Sequence, residues 1–212
     1  MSTVVPMFPL GTVLFPHAQV PLHIFEHRYR VLVRNCIDLP SDFGITLIAQ
    51  GHEVGGGDLR TTVGALARIE EAAEFGDGRW ALVVRGIERI RILRWLDDDP
   101  YPKAEIESWP DLGDPDPSLE RCRSVETLRS ATALMAESLG YRPIVSAFDP
   151  DMPTAELSLR LSFTSPLGES DRFDLLCAPG PSSRLDLLEQ RLLDQQVLFG
   201  AEIAMGRDQE DW

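Results

Sequence analysis

The chain of 212 residues carries 34 acidic side chains against 20 basic ones, a formal net charge of −14, and is 43% hydrophobic. Such a composition belongs to a folded globular chain of one large domain or two small ones, and its acidity works against a nucleic-acid partner, whose phosphates are bound by Lys and Arg. No apolar run approaches the ~20 residues of a membrane span, the opening Met-Ser-Thr-Val-Val-Pro lacks a signal peptide's basic and apolar regions, and Cys36, Cys122 and Cys177 are too scattered for a disulfide framework or a zinc motif, so a cytoplasmic protein is expected.

In chain order, Val4–Phe8 and Val13–Phe15 are short apolar runs broken by Pro6, Pro9, Gly11 and Pro16, which predicts bent or edge strands. Ile24–Leu39 places Tyr29, Leu32, Val33 and Cys36 at helical spacing and stops at Pro40. Gly44–Gln50 is branched and short, as a buried strand is, and Gly51–Asp58, with Gly55, Gly56 and Gly57, predicts a loop. Val63–Glu71 alternates, Asp77-Gly78 is a hairpin signal, and Trp80–Arg85 predicts the return strand. Ile87–Leu96 alternates Ile90 and Ile92 against Arg89, Arg91 and Leu93, and Ala104, Ile106 and Ser108 predict one more strand. Several short strands with tight turns suggest a small closed or nearly closed β-barrel.

Composition changes at Pro110. Residues 111–117 are acidic and proline-rich, predicting a linker, with Asp116 as N-cap and Pro117 at the first helical position. Beyond it, Cys122, Val125, Leu128, Thr132, Met135 and Leu139 mark a helical stripe ending at Gly140. Shorter helices are expected at Thr154–Phe163, where Leu157, Leu159, Leu161 and Phe163 also alternate, and at Glu169–Cys177. A long helix is expected at Arg184–Met205, with Leu185, Leu188, Leu192, Phe199 and Ile203 on one face. The expected organisation is therefore α+β: a β subdomain over 1–110, a linker over 111–117 and a helical subdomain over 118–212.

Five segments in this order carry a family resemblance. Phe8-Pro-Leu-Gly-Thr-Val-Leu-Phe-Pro16, Val20-Pro-Leu-His-Ile-Phe-Glu-His-Arg-Tyr-Arg30, Val63-Gly-Ala-Leu-Ala-Arg-Ile69, the Asp77-Gly78 hairpin and Val84-Arg-Gly-Ile-Glu-Arg-Ile-Arg-Ile92 resemble the amino-terminal domain of Lon proteases. His27 stands where many stand-alone relatives carry proline. The resemblance covers roughly Val4–Ile203. It implies a PUA-like β-barrel followed by helices, and a role in engaging substrate polypeptide while the chemistry resides in other domains.

The residues themselves point away from catalysis. A P-loop needs glycine-rich backbone donors and a lysine on the phosphates, whereas the one lysine, Lys103, follows Tyr101-Pro102 at a strand start. A Ser–Lys protease would need that same lysine as its base, and no G-x-S-x-G elbow is present. His23 and His27 are four apart, a spacing that would share a helix face and hold a metal, though the helix is expected to begin after His23. No cofactor and no metal are expected.

Candidate binding residues are Phe15 and Tyr29, from the segments of resemblance, Trp80 and Trp95, which flank the hairpin strands, and Arg85, Arg89 and Arg91, which share a strand face if no bulge intervenes. Two readings of the basic run stand open: a patch for acidic peptide or RNA, or a face paired across the sheet with Glu70, Glu71, Glu105 or Glu107. The expected function is a non-catalytic module that binds unfolded or exposed polypeptide, with a separate protease as candidate partner. An RNA-binding barrel and a small hydrolase are the alternatives.

Overall fold

A computed structural model describes residues 2–50 and 59–210; the glycine loop expected at Gly51–Asp58 lies outside them. The chain divides into two compact units, Met1–Pro110 and Asp111–Trp212. The first contains β1 (Thr3–Leu10), β2 (Gln19–Ile24), α1 (His27–Asp38), β3 (Phe43–Gln50), β4 (Leu59–Glu74), β5 (Trp80–Trp95) and β6 (Lys103–Ser108). The second contains α2 (Leu119–Ser138), α3 (Thr154–Thr164), α4 (Glu169–Cys177) and α5 (Pro181–Glu210). No described helix is long and apolar enough to cross a membrane.

In the first unit the strand order is β2-β5-β4-β3-β1-β6, and β6 pairs with β5 as well as with β1. The ladder therefore returns on itself through five strands and leaves β2 at the end, paired among the described residues with β5 alone. Every pairing is antiparallel except β1 with β3. The β4–β5 hairpin turns at Gly78, whose φ of 79° is the left-handed conformation that glycine adopts without a Cβ penalty. Asp77 braces that turn by accepting from the Arg79 N–H at 3.1 Å. Alternation on β5 puts Leu82, Val84, Ile90 and Ile92 inward. With Phe8, Phe43, Ile45 and the buried face of α1 (Tyr29, Leu32, Val33, Cys36), such residues make the apolar interior.

Two local expectations are corrected here. Val13–Phe15 is no strand: all three residues are buried in the connection between β1 and β2. Its path is set by Gly86, which accepts from the His17 N–H at 2.8 Å and donates to the Ala18 carbonyl at 2.9 Å. A strand stands instead at Gln19–Ile24, and α1 begins only at His27, so His23 and His27 share no helix face. Pro21 is tolerated because an edge strand needs no N–H on its open side.

The second unit packs α2 and α3 against α5. Ser118, not Asp116, caps α2, its hydroxyl accepting from the Arg121 N–H at 3.1 Å. The buried stripe of α2 is Cys122, Val125, Arg129, Thr132 and Ala136, rotated slightly from the expected one, so Leu128 and Met135 are only half-buried. Arg129 enters that stripe because Glu126, one turn back, accepts from its Nε at 2.6 Å and its second nitrogen at 2.7 Å. Residues 111–117 are tied into this unit: Asp111 pairs with the fully buried Arg184 at 2.7 Å, and Asp114 accepts from the Ser183 N–H at 2.7 Å.

Candidate functional site

The residues singled out from sequence do not converge. Phe15 is fully buried and Tyr29 is 4% exposed, so both rings are packing residues; Tyr29 stands edge-on to Phe8 with ring centroids 4.2 Å apart. Trp80 and Trp95 occupy opposite ends of the 16-residue β5. Trp80 is half-buried against the apolar interior, and Trp95 lies beneath the Arg60 guanidinium at 4.7 Å.

The arginine run is neutralised from the neighbouring strands. A bulge falls between Arg85 and Arg89, where Leu66 and Ala67 of β4 face Glu88 and Gly86 of β5, so the simple alternation that would align the three arginines is interrupted. Arg85 is bound by Glu70, Arg91 lies 3.9 Å from Glu107, and Arg94 lies 3.3 Å from Glu105. Hydrogen bonds from Arg85 and then Gln19 hold the Glu70 carboxyl below its ordinary range, and those from Ser2 and then Arg94 do the same for Glu105. Arg89 is buried, and with Arg91 it brackets the Trp109 ring at 4.7 Å on each contact. Trp109 was not singled out from sequence, because only the β5–β6 register brings it to these cations.

A concave, partly apolar surface of this unit lies at β2. A pocket of about 200 Å³ is framed by Phe8 and Leu10 of β1, Pro21 and Leu22 of β2, and Phe25 and Tyr29 at the entry to α1. Strand alternation explains its lining. Leu22 and Ile24 are buried, while Gln19, Pro21 and His23 face out. Phe25, just past the strand, leaves its ring 56% exposed at the lip. The Gly86 N–H bonds the Ala18 carbonyl; the alternation of an antiparallel ladder then turns the backbone of Val20, Leu22 and Ile24 toward β5 and that of Gln19, Pro21 and His23 away. The site thus joins an apolar pocket to a strand edge carrying outward carbonyls and N–H groups. Of the expected residues it takes in Tyr29 alone, as a wall. The cue for it lay in Val20–Arg30, which carries the resemblance but reads as a helix entry.

This combination of a self-returning sheet and a helical unit that follows it in the chain is matched among known proteins. The model of the ATP-dependent protease La (LON) substrate-binding domain matches residues 4–194, and the chain belongs to that family. A crystal structure of a Lon N-terminal domain protein from Xanthomonas campestris is similar over 88% of this chain and 96% of its own, with 31% identity and a TM-score of 0.66. The N-terminal domain of a Mycobacterium avium complex Lon protease shares the fold over 91% of this chain and 99% of its own, at 18% identity and a TM-score of 0.65. Among curated relatives, the Lon protease of Anaeromyxobacter dehalogenans is 29% identical over 78% of this chain, which spans only 19% of that relative's length. A LON peptidase N-terminal domain and RING finger protein of Schizosaccharomyces pombe is 24% identical over 86% of this chain and 43% of its own.

Proposed function

We propose that this protein is a non-catalytic recogniser of unfolded polypeptide, and that its first unit, a closed PUA-like β-barrel, presents the binding site at β2. An extended segment lays its backbone along the outward edge of β2 and drops one apolar side chain into the pocket beside Phe25. The observation that carries this reading is the exposed Phe25 ring at the lip of an apolar pocket whose wall is an edge strand. Main-chain hydrogen bonds along an edge are indifferent to sequence, while a pocket selects for apolar side chains. Folded proteins bury both features, so such a site discriminates by foldedness. A cytoplasmic adaptor that hands such segments to a separate protease is the role this supports. The pairing of Arg85, Arg91 and Arg94 with glutamates speaks against RNA on the same unit.

The test is fluorescence anisotropy of a permanently unfolded, labelled polypeptide with a blocked carboxyl terminus. Saturable binding is expected for it and none for the same protein folded. Phe25→Ser, at an exposed position, is expected to weaken binding about tenfold, as loss of a central aromatic anchor does. No binding at ~100 μM protein, weaker than about −5.5 kcal/mol, overturns the reading.

A further inference from the structure

The second unit holds a pocket of its own, about 310 Å³, that the β2 site does not use. Its construction follows from how two helices end. Gly140, at φ 86°, stops α2, and the Tyr141 N–H reaches back to the Ala136 carbonyl at 3.0 Å, which folds Tyr141–Ile144 along the side of the helix. On the opposite wall, Pro166 and Leu167 precede Gly168, which opens α4 without a side-chain cap. Phe199 of α5 closes the floor, its ring 5.6 Å from that of Tyr141.

The polar groups in this apolar cup are donors in search of an acceptor. Arg172 is spent in part, one nitrogen 3.2 Å from Glu169 and the other donating to the Ser165 carbonyl at 3.1 Å, but its Nε is buried with no partner. Arg142 at the mouth forms no ion pair or hydrogen bond with any described residue, although acidic side chains greatly outnumber basic ones in this chain. Gln195 on α5 likewise leaves its amide free among the described residues. The carboxylate of Glu169, the first residue of α4, is held by Arg172.

We propose that this pocket binds the carboxyl-terminal residue of a polypeptide, with its apolar side chain against Tyr141, Ile144 and Phe199 and its carboxylate on Arg142. A guanidinium binds a carboxylate through a planar pair of charge-assisted bonds, and Gln195, which also lines the pocket, supplies a neighbouring donor. The volume is at the small end of ligand cavities, which suits one side chain and a terminal carboxylate rather than an extended run. The choice of a peptide over a free acid rests on the polypeptide-binding reading of the first unit. The pocket would then make the protein a reader of chain ends as well as of exposed segments.

The experiment uses the full chain and a fluorescein-labelled hexapeptide ending in leucine, as free acid and as amide. The acid is expected to bind about tenfold more tightly than the amide, the scale on which a charge-assisted pair exceeds a neutral one. Arg142→Gln, at an exposed position, is expected to bring the acid down to the amide's affinity without moving the melting temperature. Ile144→Glu, which places a negative charge at the mouth, is expected to abolish binding of both. Equal affinity of acid and amide overturns the proposal, as does an Arg142→Gln variant that keeps the preference. Competition by N-acetyl-leucine as effective as by the hexapeptide overturns the polypeptide occupant. Because the β2 site is tested with a carboxyl-blocked chain and Phe25→Ser, failure of one site is read separately from failure of the other.

Discussion

The two units treat charge in opposite ways. In the first, most arginines lie at the surface and meet acids from adjacent strands or segments, Arg34 with Glu74, Arg68 with Asp42, Arg85 with Glu70 and Arg94 with Glu105, while Arg89 is buried. Water screens such pairs, and holding two long side chains in place costs entropy, so cohesion there rests on the apolar interior. In the second, a guanidinium is the largest fully buried side chain. Arg184 binds Asp111 at 2.7 Å, the Ser158 hydroxyl at 2.8 Å and the Leu175 carbonyl at 3.3 Å, gathering the segment before α2, α3 and the end of α4 onto α5. The helical unit adds a directional group to a leucine-rich interior, where the sheet relies on area.

That contrast can be broken most strongly at Arg184. Arg184→Ala is expected to cost roughly 2–5 kcal/mol, because it empties the space of a fully buried side chain and takes a donor from the Ser158 hydroxyl and the Leu175 carbonyl, and to appear as an early loss of far-ultraviolet circular dichroism in urea. Fluorescence of Trp80, Trp95 and Trp109, all in the first unit, is expected to unfold at the urea concentration of the parent chain. A smaller effect of opposite placement is expected for Gly86→Ala. Its Cβ would fall 2.1 Å from the Phe15 carbonyl oxygen and 2.9 Å from that carbon, and the backbone shift needed costs about 1–3 kcal/mol by analogy with overpacked cores. Here tryptophan fluorescence should move first, and a variant as stable as the parent would show that the 13–18 connection yields freely.

The smallest effect concerns acid. The Arg121 hydrogen bond is the main cause that lowers the Glu189 carboxyl below its ordinary 4.5. A group depressed on folding contributes stability above its unfolded value and loses it as pH falls through the folded one. Stability of the second unit should therefore fall as pH drops from about 5 toward the folded value, and Glu189→Gln should flatten that fall in urea titrations followed by circular dichroism. An unchanged slope would assign the acid sensitivity to other carboxylates.

Much of this fold was legible where local signals agreed. Asp77-Gly78 between two alternating runs marked the β4–β5 hairpin, and the Leu185–Phe199 stripe marked α5, though the helix starts at Pro181 rather than Arg184. The helix expected at Thr154–Phe163 stands as α3, despite the alternation of its apolar residues. There the hydroxyls of Ser162, Thr164 and Ser165 bond the carbonyls four residues back, so polar side chains are buried at no loss of partners. Sites were less legible. The acids that neutralise Arg85 and Arg94 are set by strand register, which depends on bulges that leave no mark in composition. Both pockets are made where elements end, at Phe25 after β2 and at Gly140 after α2, and what faces a helix end is decided by elements distant in the chain.

The double pairing of β6 has a consequence for how the first unit comes into being. Thr3 of β1 lies opposite Ile106 of β6, so the earliest strand made by a ribosome waits on one of the last in its unit. At about 5–20 residues per second, the roughly one hundred residues between them take on the order of 5–20 s to emerge. During that interval β1 and β3 expose apolar residues and unsatisfied edges, much as the polypeptides this protein is proposed to bind do. The helical unit waits as well, since Asp111 pairs with Arg184 and α2 packs against α5, but over a shorter stretch of chain.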